Sequence, residues 1–276
     1  MESVIERLPL PSYLKEQLKR AVRRAVEKYG LRIVLKYLLL SIGEKDLNTE
    51  TIMLDPFNIR DFLRDVRYFV PDITPEEFIY SIILHEHLHN IFANEYPQYF
   101  SLIEEYVDHL KGFFTVREKK IPFTDSGFLL NIITDYFLDL LLSEKHLRPE
   151  DRNIYKKAVY ATHYTLIKGT KRTIEKEMLY FITHKTPADA ASIHMDVHMM
   201  ACSCAALFRI TGRRDFIYTM EKVFSKEKRV LSYFRELLDC FLSLKRIEDF
   251  PEVLKRYVKT SMNFADFLRS YVWGGR

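Results

Sequence analysis

The sequence predicts a mainly α protein (α+β): an N-terminal part with a small β-sheet and one motif-bearing helix, then an all-helical C-terminal part. Three observations lead there. Apolar residues recur at helical spacing through most of the chain. Strand-like runs are confined to the stretch before Pro56. Glycine and proline are scarce, 8 and 10 in 276 residues, which argues against a loop-rich or sandwich protein.

Each element has its own signal. Ser12 is placed to cap a helix that runs to Tyr29 and stops at Gly30. Its outer face is basic (Lys15, Lys19, Arg20, Arg23, Arg24, Lys28) and reads as a solvated surface. Arg32 to Ile42 is rich in branched and large apolar residues and reads as a strand, with a short buried helix as the alternative. Gly43 to Thr51 is polar and reads as a turn. Thr51 to Leu54 reads as a short strand ended by Asp55-Pro56, and Phe57 to Phe69 has helical spacing. Thr74-Pro75-Glu76-Glu77 combines a capping Thr, Pro at the first helical position and Glu at the third. The helix it opens should end between Asn94 and Pro97. Tyr99 to Phe114 is amphipathic, with Glu104, Glu105, Asp108 and Lys111 opposite the apolar stripe. Arg117 to Lys120 is a charged loop ended by Pro122, and Ser126 to Leu142 is helical and apolar almost all round. From Pro149 to Arg276 the pattern is of five to seven helices without a strand.

The helix opened at Thr74 carries IILHEHLHNIF, Ile82 to Phe92. Within it, His85 to His89 fits H-E-x-x-H. Residues four apart share a helix face, so His85 and His89 can reach one metal ion, and Glu86 is placed to take a proton from an attacking water. Apolar residues surround the motif on every side, and a helix apolar all round is buried. Buried imidazoles and a carboxylate are costly unless paired or metal-bound. His87 points away from the metal face and reads as a packing or supporting residue.

A catalytic zinc site takes three protein ligands. Two candidates compete for the third place. Glu104, with Asp108 four residues on, resembles the E-x-x-x-D pattern of thermolysin-like enzymes, but it lies on the polar side of its helix. Asp135 lies on a helix whose polar stripe is Asn131, Asp135 and Asp139, spaced by four. It is the better candidate. Asp139 or Asn131 would then hold the second nitrogen of a ligand histidine. The alternative is a buried stripe that answers Arg or Lys from elsewhere.

This layout resembles the predicted metallopeptidase domain found upstream of von Willebrand A-like domains. The corresponding stretches are Thr51 to Leu54, Asp55-Pro56, Phe57 to Phe69, the His85 helix and Asn131-Ile-Ile-Thr-Asp135. Asp139 stands where that family has Asn, and the interval from His89 to Asp135 holds an extra helix. No D-x-S-x-S follows, so a metal-binding von Willebrand A domain is not indicated. The resemblance covers roughly residues 30–145 and implies zinc-dependent peptidase chemistry; the shift in pattern near residue 148 divides the chain into a zincin-like domain over 1–148 and a helical subdomain packed on it over 149–276.

Elsewhere, His194 and His198 are again four apart on a helix of small residues. They read as core histidines, as an oxyanion donor, or as a separate metal site with Cys202. Cys202, Cys204 and Cys240 read as buried thiols. No G-x-S-x-G and no phosphate-cradling glycine motif occurs. The net charge of +4 is mild and spread out, which does not call for a nucleic-acid partner. Three cysteines and no signal-like apolar run near the start point to the cytoplasm, with no membrane segment. The function expected is a zinc metallopeptidase: His85, His89 and Asp135 bind Zn²⁺, Glu86 is the base, and an extended peptide adds to the sheet at Thr51 to Leu54. The alternative is an inactive, zinc-stabilised helical scaffold that binds a protein partner, its fourth metal position closed by Asp139 or His194.

Overall fold

The structure, a computed structural model, describes residues 2–36, 38, 43–46, 51–115 and 126–274. It is mainly helical with one small sheet. The charged loop Arg117 to Lys120 with Pro122, and the end of the Arg32 to Ile42 run, lie outside the described residues. The chain divides into two compact units, Met1–Pro97 with Leu142–Thr165 and Gln98–Leu141 with Leu166–Arg276. The sequence suggests one boundary near residue 148; the chain passes between these units at three points.

The first unit begins with α1 (Glu2–Arg7) and α2 (Ser12–Tyr29). Ser12 is the first helical residue and not the cap: Pro11 stands at the cap position, with no side-chain hydrogen bond there. The helix ends as expected at Gly30, in the left-handed conformation with φ 67°. Beyond its immediate chain neighbours, no described atom lies within 4 Å of where a Cβ would stand. The cost of Gly30→Ala is therefore conformational alone, about 1 kcal/mol, readable as a lower urea midpoint. The basic face of α2 is less solvated than its composition suggests. Lys19 pairs with Glu6 and Glu16, Arg23 with Glu2, and Arg24 and Lys28 with the buried Asp151.

Three strands follow: β1 (Arg32–Leu35), β2 (Gly43–Asp46) and β3 (Thr51–Leu54). The sheet order is β1-β3-β2, with β1 parallel and β2 antiparallel to β3. The polar stretch expected to be all turn thus contributes a strand, with Gly43 opposite Leu54 and Asp46 opposite Thr51. An edge strand tolerates charge because it pairs on one side only, and GEKD is such a sequence. β3 is the middle strand, so it has no edge left for a substrate; among the described residues the edge strands are β1 and β2. At its end Asp55, fully buried, caps α3 (Pro56–Phe69) by accepting from the amides of Phe57 and Asn58. The Asp55 side chain also accepts from Leu38 N at 2.7 Å, and Asn58 Nδ2 returns a bond to Leu38 O. The Asp-Pro corner is therefore an architectural joint.

α4 (Pro75–Glu95) starts on the predicted capping box: Thr74 Oγ1 accepts from Glu77 N, and Glu77 accepts from Thr74 N. It packs against α2 and the sheet. Seven consecutive residues, Phe78 to Leu84, are buried, so no face of this stretch is left to solvent.

The second unit holds α5 (Pro97–Thr115, from Gln98 on) and α6 (Ser126–Phe137). A π-helical turn at Leu138–Leu142 leads to α7 (Ser143–His146) in the first unit. α8 (Pro149–His184) begins in the first unit and continues in the second, followed by α9 (Pro187–Thr211), α10 (Asp215–Phe224), α11 (Lys228–Ser243) and α12 (Phe250–Trp273). The second unit is organised around α9, which packs against α6, α10, α11 and α12. Its small residues Ala190, Ala201, Ala205 and Ala206 are fully buried, which lets those helices approach closely. Ser126–His146 and Pro187–Thr211 are each long and apolar enough to cross a membrane, and most of each is buried inside the fold, as in core helices.

Candidate metal centre

The helix α4 sets the geometry. Its two motif histidines, one turn apart, turn their rings edge to face with centroids 4.9 Å apart. Their Nε2 atoms lie 3.2 Å from one another. Two imidazole nitrogens bound at 2.0–2.1 Å to one tetrahedral ion stand about 3.3 Å apart. The pair therefore already has the spacing of two ligands of one ion. Two nitrogen lone pairs at this distance repel, so a proton or a cation must lie between them. The donor chemistry fits zinc.

Three other side chains complete this part of the first unit. The Nδ1 atom of His85 is 3.0 Å from the hydroxyl of Tyr155 on α8, a buried tyrosine. Glu86, at the next position to His85, is 8% exposed. Asn90 stands four residues after Glu86 on the same face, also buried, and its Oδ1 has no hydrogen-bond partner among the described residues. His87 points elsewhere, as expected. Its ring packs on Tyr29 of α2 at 5.0 Å, and burial pulls its pKa down to about 4. It is a neutral packing residue.

Asp135 lies in the second unit, half-buried on α6, with Asp139 one turn on in the π-helical turn. Both carboxylates, after burial itself, push the Cys202 thiol of α9 well up, so Cys202 stays a neutral thiol. Asn131, taken to belong to the same buried stripe, is exposed: the stripe runs outward at its N-terminal end and carries a solvated amide there. Glu104 and Asp108 on α5 are exposed, in line with solvated charges.

His194 and His198 lie in the core of the second unit, both fully buried. His194 Nε2 donates to the carbonyl of Ser261 at 3.3 Å, and Tyr257 donates to Leu129 O at 2.9 Å. Since that takes the Tyr257 proton, its oxygen accepts from His198 Nδ1 at 2.9 Å. Burial holds both imidazoles neutral, His194 at about 4. This is the core reading of the pair, and neither ring is open to a substrate oxygen. All three cysteines are buried, free thiols.

Sequence reasoning did not single out Tyr155, Asn90 or Asp151. Asn90 had a signal, since it directly follows the motif on the Glu86 face. Tyr155 and Asp151 had none, because a lone tyrosine or aspartate on a later helix belongs to no local pattern. Also absent from the reading was the buried Asp196 of α9. Burial, and after it the neighbouring carboxylate of Glu177 on α8, push its pKa up, which favours the protonated form at neutral pH. A comparison of the chain with family models, curated proteins and solved structures finds no match.

Proposed function

We propose that the protein is a zinc-dependent, zincin-like hydrolase of peptide bonds, with His85, His89 and Asp135 as metal ligands and Glu86 as general base. The observation that carries the reading is the 3.2 Å approach of the His85 and His89 Nε2 atoms on one face of a buried helix, with a carboxylate at the adjoining position. His85, His89 and Asp135 are each half-buried and are of metal-ligating type. A bound zinc ion supplies Lewis acidity and lowers the pKa of water toward about 7. Glu86 takes the proton of the attacking water and hands it to the leaving amine. Because β3 is internal to the sheet, an extended peptide would add at an edge strand, β1 or β2.

The test is metal analysis of the purified chain. The donor set also suits iron and manganese, so all three metals are measured. Wild type is expected to hold about one zinc per chain, as one three-ligand site requires, and Asp135→Ala to lose most of it. An Asp135→Ala protein with wild-type metal content would remove Asp135 from the ligand set and leave the histidine pair standing.

A further inference from the structure

We propose that Tyr155 is a positioning residue: its hydroxyl oxygen accepts the Nδ1–H of His85, which fixes the tautomer that presents the Nε2 lone pair toward His89. The inference rests on the metal-centre reading above. Both nitrogens of His85 are engaged, Nδ1 by Tyr155 at 3.0 Å and Nε2 by His89 at 3.2 Å. A flip of the ring would break both contacts at once, so Tyr155 sets orientation as well as protonation. Its ring is 2% exposed, which keeps competing water away from the contact. A metal-ligating imidazole needs such a partner on its other nitrogen. The usual partners are a carboxylate, a carbonyl or water; a phenol oxygen orients the ring without adding a negative charge to the site.

The second unit shows the same contact with its direction settled by chemistry. Tyr257 gives its proton to Leu129 O and so must accept from His198 Nδ1. The first unit differs in what the other nitrogen does: His85 Nε2 faces a second imidazole.

Two measurements test the role of Tyr155. The first is zinc affinity of wild type and Tyr155→Phe, by competition with a chromophoric chelator. The variant is expected to bind about tenfold more weakly, the lower end for loss of an outer partner. The second is the imidazole ¹⁵N spectrum of the metal-free chain. Wild-type His85 is expected as the Nδ1–H tautomer, shifted toward Nε2–H in Tyr155→Phe. A tyrosine that only fills space would alter melting and leave the tautomer where it was. If wild type binds zinc and Tyr155→Phe binds it equally tightly, the role of Tyr155 falls alone. If wild type takes up no zinc, the metal centre falls and this role with it. Wild-type His85 found as the Nε2–H tautomer overturns the proposal without recourse to any variant, including one that fails to fold.

Discussion

Glu86→Gln is expected to hydrolyse peptides about 10²- to 10⁴-fold more slowly than wild type, the range a positioned general base contributes, with its metal content unchanged. Glutamine keeps the size and one acceptor oxygen of glutamate but cannot take up a proton at neutral pH. The substitution therefore removes proton transfer while leaving the histidine pair and the packing of α4 intact. Measured together, turnover of a quenched peptide library and metal content by mass spectrometry separate two classes of function. Unchanged turnover in the variant would mean that Glu86 is not the base. A wild-type chain that holds zinc, melts higher with it and cleaves nothing would be the zinc-stabilised scaffold.

The second large effect concerns stability. Asp151 is completely buried at the start of α8, where it accepts from Arg24 at 2.8 Å, Tyr29 at 2.9 Å and Lys28 at 3.1 Å. Removing one partner of a buried pair leaves the other charge uncompensated, at a cost of 3–5 kcal/mol. Here Arg24 and Lys28 keep 27% and 24% of their side chains exposed, so the lower figure applies. Asp151→Ala is expected to lose about 3 kcal/mol at neutral pH. The loss should depend on pH. Burial pushes the Asp151 carboxyl up, but its bonds to Lys28 and Tyr29 and the charges around it outweigh that and hold its pKa below the ordinary value. A carboxyl depressed on folding stabilises the native state above its unfolded pKa, about 3.9, and the stabilisation disappears as pH falls through the folded value. Urea titrations at pH 7 and pH 3 check this. The gap between variant and wild type should be wide at the first and narrower at the second. An equal gap at both would remove the ion pairs as its cause.

The parts of the fold that were legible in the sequence are those written in short range. Thr74-Pro75-Glu76-Glu77 announces a helix start with neighbours only, and the capping box stands where it was read. Gly30 does the same for a helix end. H-E-x-x-H needs only helical periodicity to bring two imidazoles onto one face, and their nitrogens do meet. What escaped depends on partners distant in sequence. Gly43–Asp46 is a strand because β3 pairs with it, not because of its own composition. The place of β3 in the middle of the sheet follows from the same pairing. Nothing local in the sequence marks Asp151, and only α2, far earlier in the chain, makes it a buried hub. Asn131 shows the converse. Periodicity assigned it to a stripe, but burial changes along that stripe, from the exposed Asn131 to the half-buried Asp135 and Asp139.

The capping box at Thr74 also bears on motion. Helices open from their ends, and an interior turn opens only when the structure around it does. His85 is ten residues beyond Pro75 and His89 six before Glu95, so both sit where α4 is held from either side. Amide exchange through this turn is expected to follow the opening of the surrounding unit. On the metal-binding proposal, the two imidazoles already stand at ligand spacing before an ion arrives.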